Sequence, residues 1–177
     1  MTAPRSFLDA LVSAQRAPEL VGADDIFGFL IGSWDIEAVL HDRDGRMQRS
    51  KGEVHASWVL EGRAIQDLFI FPRRADRASG GSVQDDRYAT TIRTFDRMQE
   101  AWRVDFINPA APETSAQLMA RRSGQGIEME GALADGTRIQ WSYQSITPTS
   151  FHYSAKKRVD DRSWKLYLEL FGKRADS

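Results

Sequence analysis

From residue 32 onward, apolar and polar residues alternate with a period of two, which is the spacing of β-strands with one buried face. The pattern is strongest between Gly52 and Pro72, where two strand-like runs flank Glu61-Gly62 and predict one long antiparallel hairpin. The second run is apolar on both faces over residues 68–71, which predicts that it is covered on both sides. Asp67 breaks the pattern, because its carboxylate shares a face with large apolar side chains.

Turn signals divide residues 32–174 into about ten strands, with no helical pattern between them. Parallel strands need crossover connections of about a dozen residues or more, so the strands are expected to be antiparallel. Closing an up-and-down meander into a barrel removes its exposed edges. We therefore predict an all-β, up-and-down antiparallel β-barrel. An immunoglobulin-like sandwich is the alternative, but it needs long Greek-key connections that the chain lacks.

Residues 1–31 have helical spacing and predict an N-terminal helical segment that packs on the barrel. Ser6 is placed to cap a first helix that ends before Pro18, and Asp24 to cap a second over residues 25–30. We expect these helices to cover the strand that is apolar on both faces. The polar, glycine-rich run at 73–86 predicts a solvated surface loop, with a lid over the barrel as the alternative.

Composition narrows the range of functions. The chain has 24 basic and 25 acidic residues, a balance that argues against nucleic acid or a membrane surface as a partner. It has no cysteine, which excludes disulfides, thiolate nucleophiles and cysteine metal sites. No signal-peptide pattern and no run of ~18 apolar residues is present, so we expect a cytoplasmic protein.

Familiar catalytic motifs are missing. The chain has no phosphate-binding loop and no G-x-S-x-G elbow. The three histidines, His41, His55 and His152, lack the spacing of metal ligands, so we predict no metal and no cofactor. Asp67 has two interpretations: a general base in apolar surroundings, or a buried carboxylate paired with a residue such as Arg93 or Tyr88.

Aromatic residues occur on most of the predicted strands and form either a solid core or the wall of a cavity. A barrel of eight to ten strands has an interior that side chains fill or that holds one small ligand. Tyrosines and Asp67 among the apolar positions favour a cavity for one small, largely apolar or aromatic molecule. The candidate ligand-binding residues are Trp58, Phe69, Tyr88, Trp102, Phe106, Asn108, Trp141, Tyr143 and Tyr153.

Two further hypotheses use the same features. The first is a cofactor-free isomerase, cyclase or hydrolase that works in the cavity, with Asp67 and His152 as acid and base. The second is a homodimer that forms through the strand that is apolar on both faces.

Gly32-Ser33-Trp34, which follows a helical stretch and opens the first strand, resembles the G-x-W signature of the lipocalin (calycin) superfamily. The resemblance implies that Trp34 closes one end of the barrel and that a basic residue of the last strand, Lys173 or Arg174, lies over its indole. Residues 26–174 are similar to a bacterial family of lipocalin-like barrels of unknown function. The runs that carry this similarity are W-V-L-E-G-R-A-I-Q-D at 58–67, R-T-F-D at 93–96, W-R-V-D-F-I-N-P at 102–109 and T-P-T-S-F-H-Y at 147–153.

This second resemblance implies a fold and carries no substrate or catalytic residue. Some small calycin barrels, the nitrobindin-like ones, hold haem through a histidine on a late strand. That likeness makes His152 a candidate haem ligand, although this chain lacks the repeated glycines that follow G-x-W in those proteins.

Overall fold

The structure is a computed structural model that describes residues 6–20, 25–42, 44–77 and 87–175. Its strands follow one another with mostly short connections, as the alternation predicts, and from the second strand onward the longest connection is residues 72–86, between the fourth and fifth strands. They are β1 (Val12–Ser13), β2 (Gly32–His41), β3 (Met47–Val59), β4 (Ala64–Phe71), β5 (Arg87–Asp96), β6 (Ala101–Ile107), β7 (Ala116–Ser123), β8 (Gly126–Leu133), β9 (Arg138–Gln144), β10 (Ser150–Arg158) and β11 (Trp164–Arg174).

Strands β2 to β11 form one closed antiparallel barrel. Each strand pairs with the next along the chain, and β11 pairs with β2 to complete the circle. The inward side chains of these ten strands form one buried core. This confirms the predicted up-and-down barrel. The two-residue strand β1 lies outside the circle and pairs with the end of β3, where Val12 is opposite Val59.

The barrel has two different ends. One end of the barrel, which we call the mouth, is where β2, β4, β6, β8 and β10 end and where β3, β5, β7, β9 and β11 begin. The other end, which we call the closed end, holds the start of β2 and the residues before it. There Phe27, Leu30 and Trp34 are all buried, and the Trp34 indole N–H donates to the Leu30 carbonyl at 2.7 Å. The closed end is thus sealed by the chain that leads into the first barrel strand.

Arg174, at the end of β11, fastens this seal. Its guanidinium lies 4.1 Å from the centre of the Trp34 ring and donates to the carbonyls of Phe29 and Ile31 at 2.9 and 2.8 Å. Gly32 has a φ of +117°, and a Cβ there would lie 2.6 Å from Arg174 Nη1, so this position requires glycine. The expected stacking of a basic residue on Trp34 is confirmed, with Arg174 rather than Lys173 as the partner.

The first predicted helix is much shorter than its apolar spacing suggested. The helix α1 covers only Phe7–Leu11, with Ser6 as its N-cap, and none of its residues is buried. The chain then turns extended, because the Leu11 carbonyl accepts from Leu60 N and β1 pairs with β3. Backbone pairing with the barrel therefore replaces the last turns of the helix that we predicted up to Pro18.

The second predicted helix, over residues 25–30, is only a 3-10 turn at Gly28–Leu30. Its predicted cap, Asp24, lies outside the described residues. The strand that is apolar on both faces is covered on its outer face only in part, since Ala64 and Ile70 are fully buried there, and the helices predicted as its cover do not form at their predicted lengths. The N-terminal segment crosses the β3–β4 turn instead, where Ala17 N donates to the Gly62 carbonyl, and Leu68 stays 37% exposed.

The predicted loop at 73–86 begins with a 3-10 turn at Arg74–Asp76, and Arg74 is held by Glu53 of β3. Residues 78–86, which carry most of the proposed lid, lie outside the described residues. Within the described ranges, no helix has the length and apolar character needed to cross a bilayer.

Candidate functional site

A cavity of about 280 Å³ occupies the barrel between the mouth and the closed end. It is bounded by side chains from nearly all the barrel strands, and its wall is mainly apolar. Leu40, Leu133 and Leu168 lie toward the mouth, and Leu30, whose carbonyl accepts from the Trp34 indole, lies toward the closed end. The aromatic lining residues are Phe69, Phe106, Trp141, Tyr143, Phe151, Tyr153 and Tyr167.

The structure brings together most of the predicted binding residues. Six of the nine candidates line the cavity, namely Phe69, Phe106, Asn108, Trp141, Tyr143 and Tyr153, together with Asp67. Trp58 and Trp102 also point inward but belong to the packed core. Trp102 lies toward the closed end, edge-on to Phe27 at 5.7 Å and to Phe95 at 5.8 Å. They support the cavity rather than line it.

Tyr88 lies on the outer face of the barrel. Ala89, Thr91 and Arg93 point inward from β5, so the alternation turns Tyr88 outward. Its side chain is 46% exposed, and the Arg77 guanidinium lies 5.5 Å from its ring centre. Tyr88 therefore neither contacts a ligand in the cavity nor pairs with Asp67.

His152 also lies on the outer face, because its neighbours Phe151 and Tyr153 point inward. Its ring stacks on Phe171 at 4.7 Å, and its Nε2 lies 2.9 Å from a Glu169 oxygen. The structure thus does not bring His152 to Asp67 as an acid–base partner. His152 is also not placed to bind the iron of a haem inside the barrel, because no histidine is among the described residues that line the cavity.

The other two histidines lie outside as well. His41 Nε2 is 2.9 Å from the second oxygen of Glu169, so His41 and His152 share one carboxylate. His55 lies beside Glu53 and Ser33. In the described parts of the chain, no group of three or more histidines and carboxylates is placed to hold a metal ion.

Asp67 and Arg93 form a buried ion pair in the cavity wall. Arg93 Nη1 donates to Asp67 Oδ2 at 2.7 Å, and the two side chains are 4% and 6% exposed, respectively. The other Asp67 oxygen accepts from the Thr91 backbone N–H at 3.2 Å. Burial by itself lowers the pKa of Arg93, but the charge and hydrogen bond of Asp67, together with Tyr143 and Tyr153, outweigh it and the pKa is raised. One of the two partners predicted for Asp67, Arg93, is thereby confirmed.

Two tyrosine hydroxyls lie near this ion pair. Burial raises the pKa of Tyr143 to about 12, partly offset by the Arg93 charge against which its hydroxyl lies. Burial also raises the pKa of Tyr153 well above its ordinary value, and the neighbouring Tyr167 and Tyr143 add to the effect. The two rings are 5.1 Å apart. Both hydroxyls therefore stay protonated and act as neutral hydrogen-bonding groups at physiological pH.

Asn108 lies at the mouth, where its side chain organises the β6–β7 connection. Its amide nitrogen donates to Thr114 Oγ1 at 3.1 Å, and its amide oxygen accepts from Ala110 N at 3.2 Å. The amide is thus used by the protein itself, which gives Asn108 a structural part in shaping the mouth.

Many of the lining residues were not predicted, and among them Tyr167, Arg87 and Lys157 bring a hydroxyl or a charge to the wall. Tyr167 is the extra residue of a β-bulge, since Ala155 is opposite Leu168 and Lys156 is opposite Leu166. The bulge turns Tyr167 toward the interior, where its hydroxyl accepts from the Trp141 indole N–H at 2.8 Å. Arg87 and Lys157 contribute positive charge to the cavity wall.

Solved structures with the same architecture are known, and their sequences are distant. Rv2717c from M. tuberculosis matches with a TM-score of 0.63 and 17% identity, over 92% of this chain and all of that one. The S-type phycobiliprotein lyase CPES from Guillardia theta matches with a TM-score of 0.58 and 10% identity, over 89% of this chain and 94% of that one. No protein-family model and no curated protein matches the sequence. The closed ten-stranded barrel, its Trp34–Arg174 seal and these neighbours together establish that the chain has the lipocalin-like fold.

Proposed function

We propose that this protein binds one small, largely apolar or aromatic molecule inside the barrel. The observation that carries the proposal is the cavity of about 280 Å³, which has an aromatic wall and a few enclosed polar groups. This volume is close to the lower end of the range for small-molecule sites, about 300–1,000 Å³, and suits a ligand of two or three rings. Burial of apolar ligand surface would supply about 25 cal/mol per Å².

The structural neighbour named as a phycobiliprotein lyase supports a role in handling a small organic molecule. Its likeness to this chain is one of fold, so the ligand itself is inferred from the cavity. The five predicted aromatic residues that line the cavity are proposed to contact the ligand. Asn108 acts instead through the shape of the mouth.

The geometry does not favour the enzyme hypothesis. Both oxygens of Asp67 already accept hydrogen bonds, from Arg93 and from the Thr91 backbone. His152, its predicted partner, is on the outer face. A proton-transfer step would have to break the buried ion pair, which leaves an unpaired charge in the barrel wall.

Binding of N-phenyl-1-naphthylamine tests the proposal, because this uncharged aromatic compound fluoresces more strongly in an apolar site. The native protein is expected to show saturable enhancement. Leu133→Trp adds bulk inside the cavity and should weaken binding at least about tenfold, since inserting large groups into a packed site is unfavourable. Ala132→Trp adds the same side chain on the opposite face of β8 and should bind normally. Equal binding by the two variants would contradict an interior site.

A further inference from the structure

The polar groups in the cavity wall are not balanced between donors and acceptors. Arg93 has five N–H donors, and its Nε is buried without a hydrogen-bond partner among the described residues. Leaving such a group unpaired is unfavourable, so native structures almost always provide a partner. Because Arg93 lines the cavity, a molecule bound in the cavity is able to supply that partner.

Tyr153 adds a second donor to the same wall. Its side chain is 7% exposed and lines the cavity. The influences on its hydroxyl are burial and the charges or dipoles of Tyr167, Tyr143, Arg93 and Asp67, and none is a hydrogen bond from a described residue. Tyr167 is different, because its hydroxyl already accepts from the Trp141 indole.

The nearby protein acceptors are already in use, and the Tyr143 hydroxyl is one of them, since Arg93 hydrogen-bonds to it. One Asp67 oxygen accepts from Arg93 and the other from the Thr91 backbone. Asp67 also balances the charge of Arg93, so this part of the wall is electrically neutral. A negatively charged group placed beside the pair would lie buried without a counter-charge, which is strongly unfavourable. A neutral oxygen acceptor meets the need for a partner without that cost.

We propose that the ligand carries a neutral carbonyl-type oxygen at its inner end, and that this oxygen accepts hydrogen bonds from the Tyr153 hydroxyl and the Arg93 guanidinium. A carbonyl oxygen has two lone pairs and is able to accept from both donors at once. The aromatic wall then surrounds the rest of the molecule. The ligand class is an aromatic ketone, aldehyde, quinone or amide. This inference rests on the proposed function, because it specifies the chemistry of the same cavity.

Two matched fluorescent probes test the inference. The first is 6-acetyl-2-(dimethylamino)naphthalene, and the second is 6-ethyl-2-(dimethylamino)naphthalene, which differs by the missing carbonyl oxygen. A neutral hydrogen bond is worth about 0.5–1.5 kcal/mol, so the native protein should bind the ketone about fivefold more tightly. The carbonyl stretch of the bound ketone should shift to lower frequency, because hydrogen bonding weakens the C=O bond.

Tyr153→Phe removes only the hydroxyl and keeps the ring that packs on Tyr143. In this variant the preference for the ketone should fall, because only the Arg93 donor remains, and the carbonyl stretch should move part of the way toward its value in apolar solvent. Tyr167→Phe is the matched control, because it removes a hydroxyl from the same cavity that already has a protein partner. It should keep the preference for the ketone. Near-ultraviolet circular dichroism verifies that both variants are folded.

The outcomes separate this inference from the proposed function. If neither probe binds the native protein, the proposed function is wrong. If both bind but the preference for the ketone is absent, or is undiminished in Tyr153→Phe, the cavity binds ligands and the acceptor hypothesis is overturned. Tighter binding of 6-(dimethylamino)-2-naphthoate than of the ketone would overturn the requirement for a neutral acceptor.

Discussion

The Asp67–Arg93 pair is the most consequential interaction between single residues in the barrel wall. Asp67→Ala would leave the Arg93 charge buried without its partner, among aromatic side chains that include Phe27, 5.0 Å from the guanidinium. We expect the free energy of unfolding to fall by about 3–5 kcal/mol, measured by urea denaturation.

Two further variants make this prediction specific. Asp105→Ala breaks an exposed ion pair with Arg103 and should cost less than about 1 kcal/mol. The double variant Asp67→Leu, Arg93→Met removes both charges and should recover much of the stability lost by Asp67→Ala, because no unpaired charge remains. If the single and double variants are equally destabilised, unpaired charge is not the cause.

A carboxylate outside the barrel predicts a dependence of stability on pH. Hydrogen bonds from Arg74 lower the pKa of Glu53 from 4.5 to about 2, although burial opposes the shift. A lowered pKa in the folded state contributes stability above pH 4.5, and this contribution is lost as the pH falls toward 2. The native protein should exceed Glu53→Gln in unfolding free energy by roughly 1 kcal/mol at pH 7, and the difference should disappear near pH 2.

Urea denaturation of both proteins between pH 7 and pH 2 gives this difference. Glu37→Gln removes a carboxylate from an exposed pair with Arg49 and should have a smaller effect at every pH. A difference for Glu53→Gln that is constant down to pH 2 would show that the pair with Arg74 does not hold the carboxylate in its charged form.

Sequence alternation predicted single residues well where its phase was followed strictly. It placed Asp67 on the inner face and named Arg93 as one partner, and the ion pair follows from both. The same alternation implied that His152 points outward, because its sequence neighbour Tyr153 was assigned to the interior. The contacts that give each residue its role, such as the carboxylate shared by His41 and His152, join distant strands and have no signal in the sequence.

Among the elements, the strands were predictable and the N-terminal segment was not. Ten strands follow from the alternation and the turns, since period-two spacing is decided locally. The predicted helix up to Pro18 is shortened by hydrogen bonds to β3 that only the folded barrel supplies. The bulge in β11 was equally unpredictable, because the inserted residue, Tyr167, resembles any other strand residue in sequence.

The contact between β11 and the N-terminal segment gives a prediction at this scale. Arg174→Ala removes hydrogen bonds to three carbonyls, those of Phe29, Ile31 and Pro148, as well as the stacking on Trp34. We expect a loss of about 3 kcal/mol in unfolding free energy. Lys173→Ala, at the neighbouring exposed position, should change it by less than about 0.5 kcal/mol.

Thermal denaturation measures this loss, and tryptophan fluorescence monitors the unfolding because Trp34 is buried beneath the arginine. Arg174→Lys keeps the charge but loses the planar group with its several donors, and should fall between the native protein and Arg174→Ala. If the two variants of Arg174 and the Lys173 control have equal stability, the seal does not depend on this side chain.

At the scale of the whole molecule, a ligand in the cavity contacts most of the barrel strands and should stabilise the folded chain. With N-phenyl-1-naphthylamine at 100 times its Kd, mass action predicts about 2.7 kcal/mol of added stability. For a chain of this size, that corresponds to a rise of about 5–10 °C in Tm. Differential scanning calorimetry gives the shift, and Leu133→Trp should abolish it while Ala132→Trp retains it. An identical rise for both variants would point to binding outside the barrel.

The pairing of β2 with β11 has a consequence for how the protein is made. Trp34 lies opposite Arg174, so the barrel wall closes only after all the strands between residues 32 and 174 have been synthesised. Until then β2 and β10 each keep an unpaired edge, and apolar surfaces on nascent strands favour association with other chains. We expect a chain cut before residue 164 to aggregate or to be held by chaperones. Folding would then depend on the arrival of one late strand.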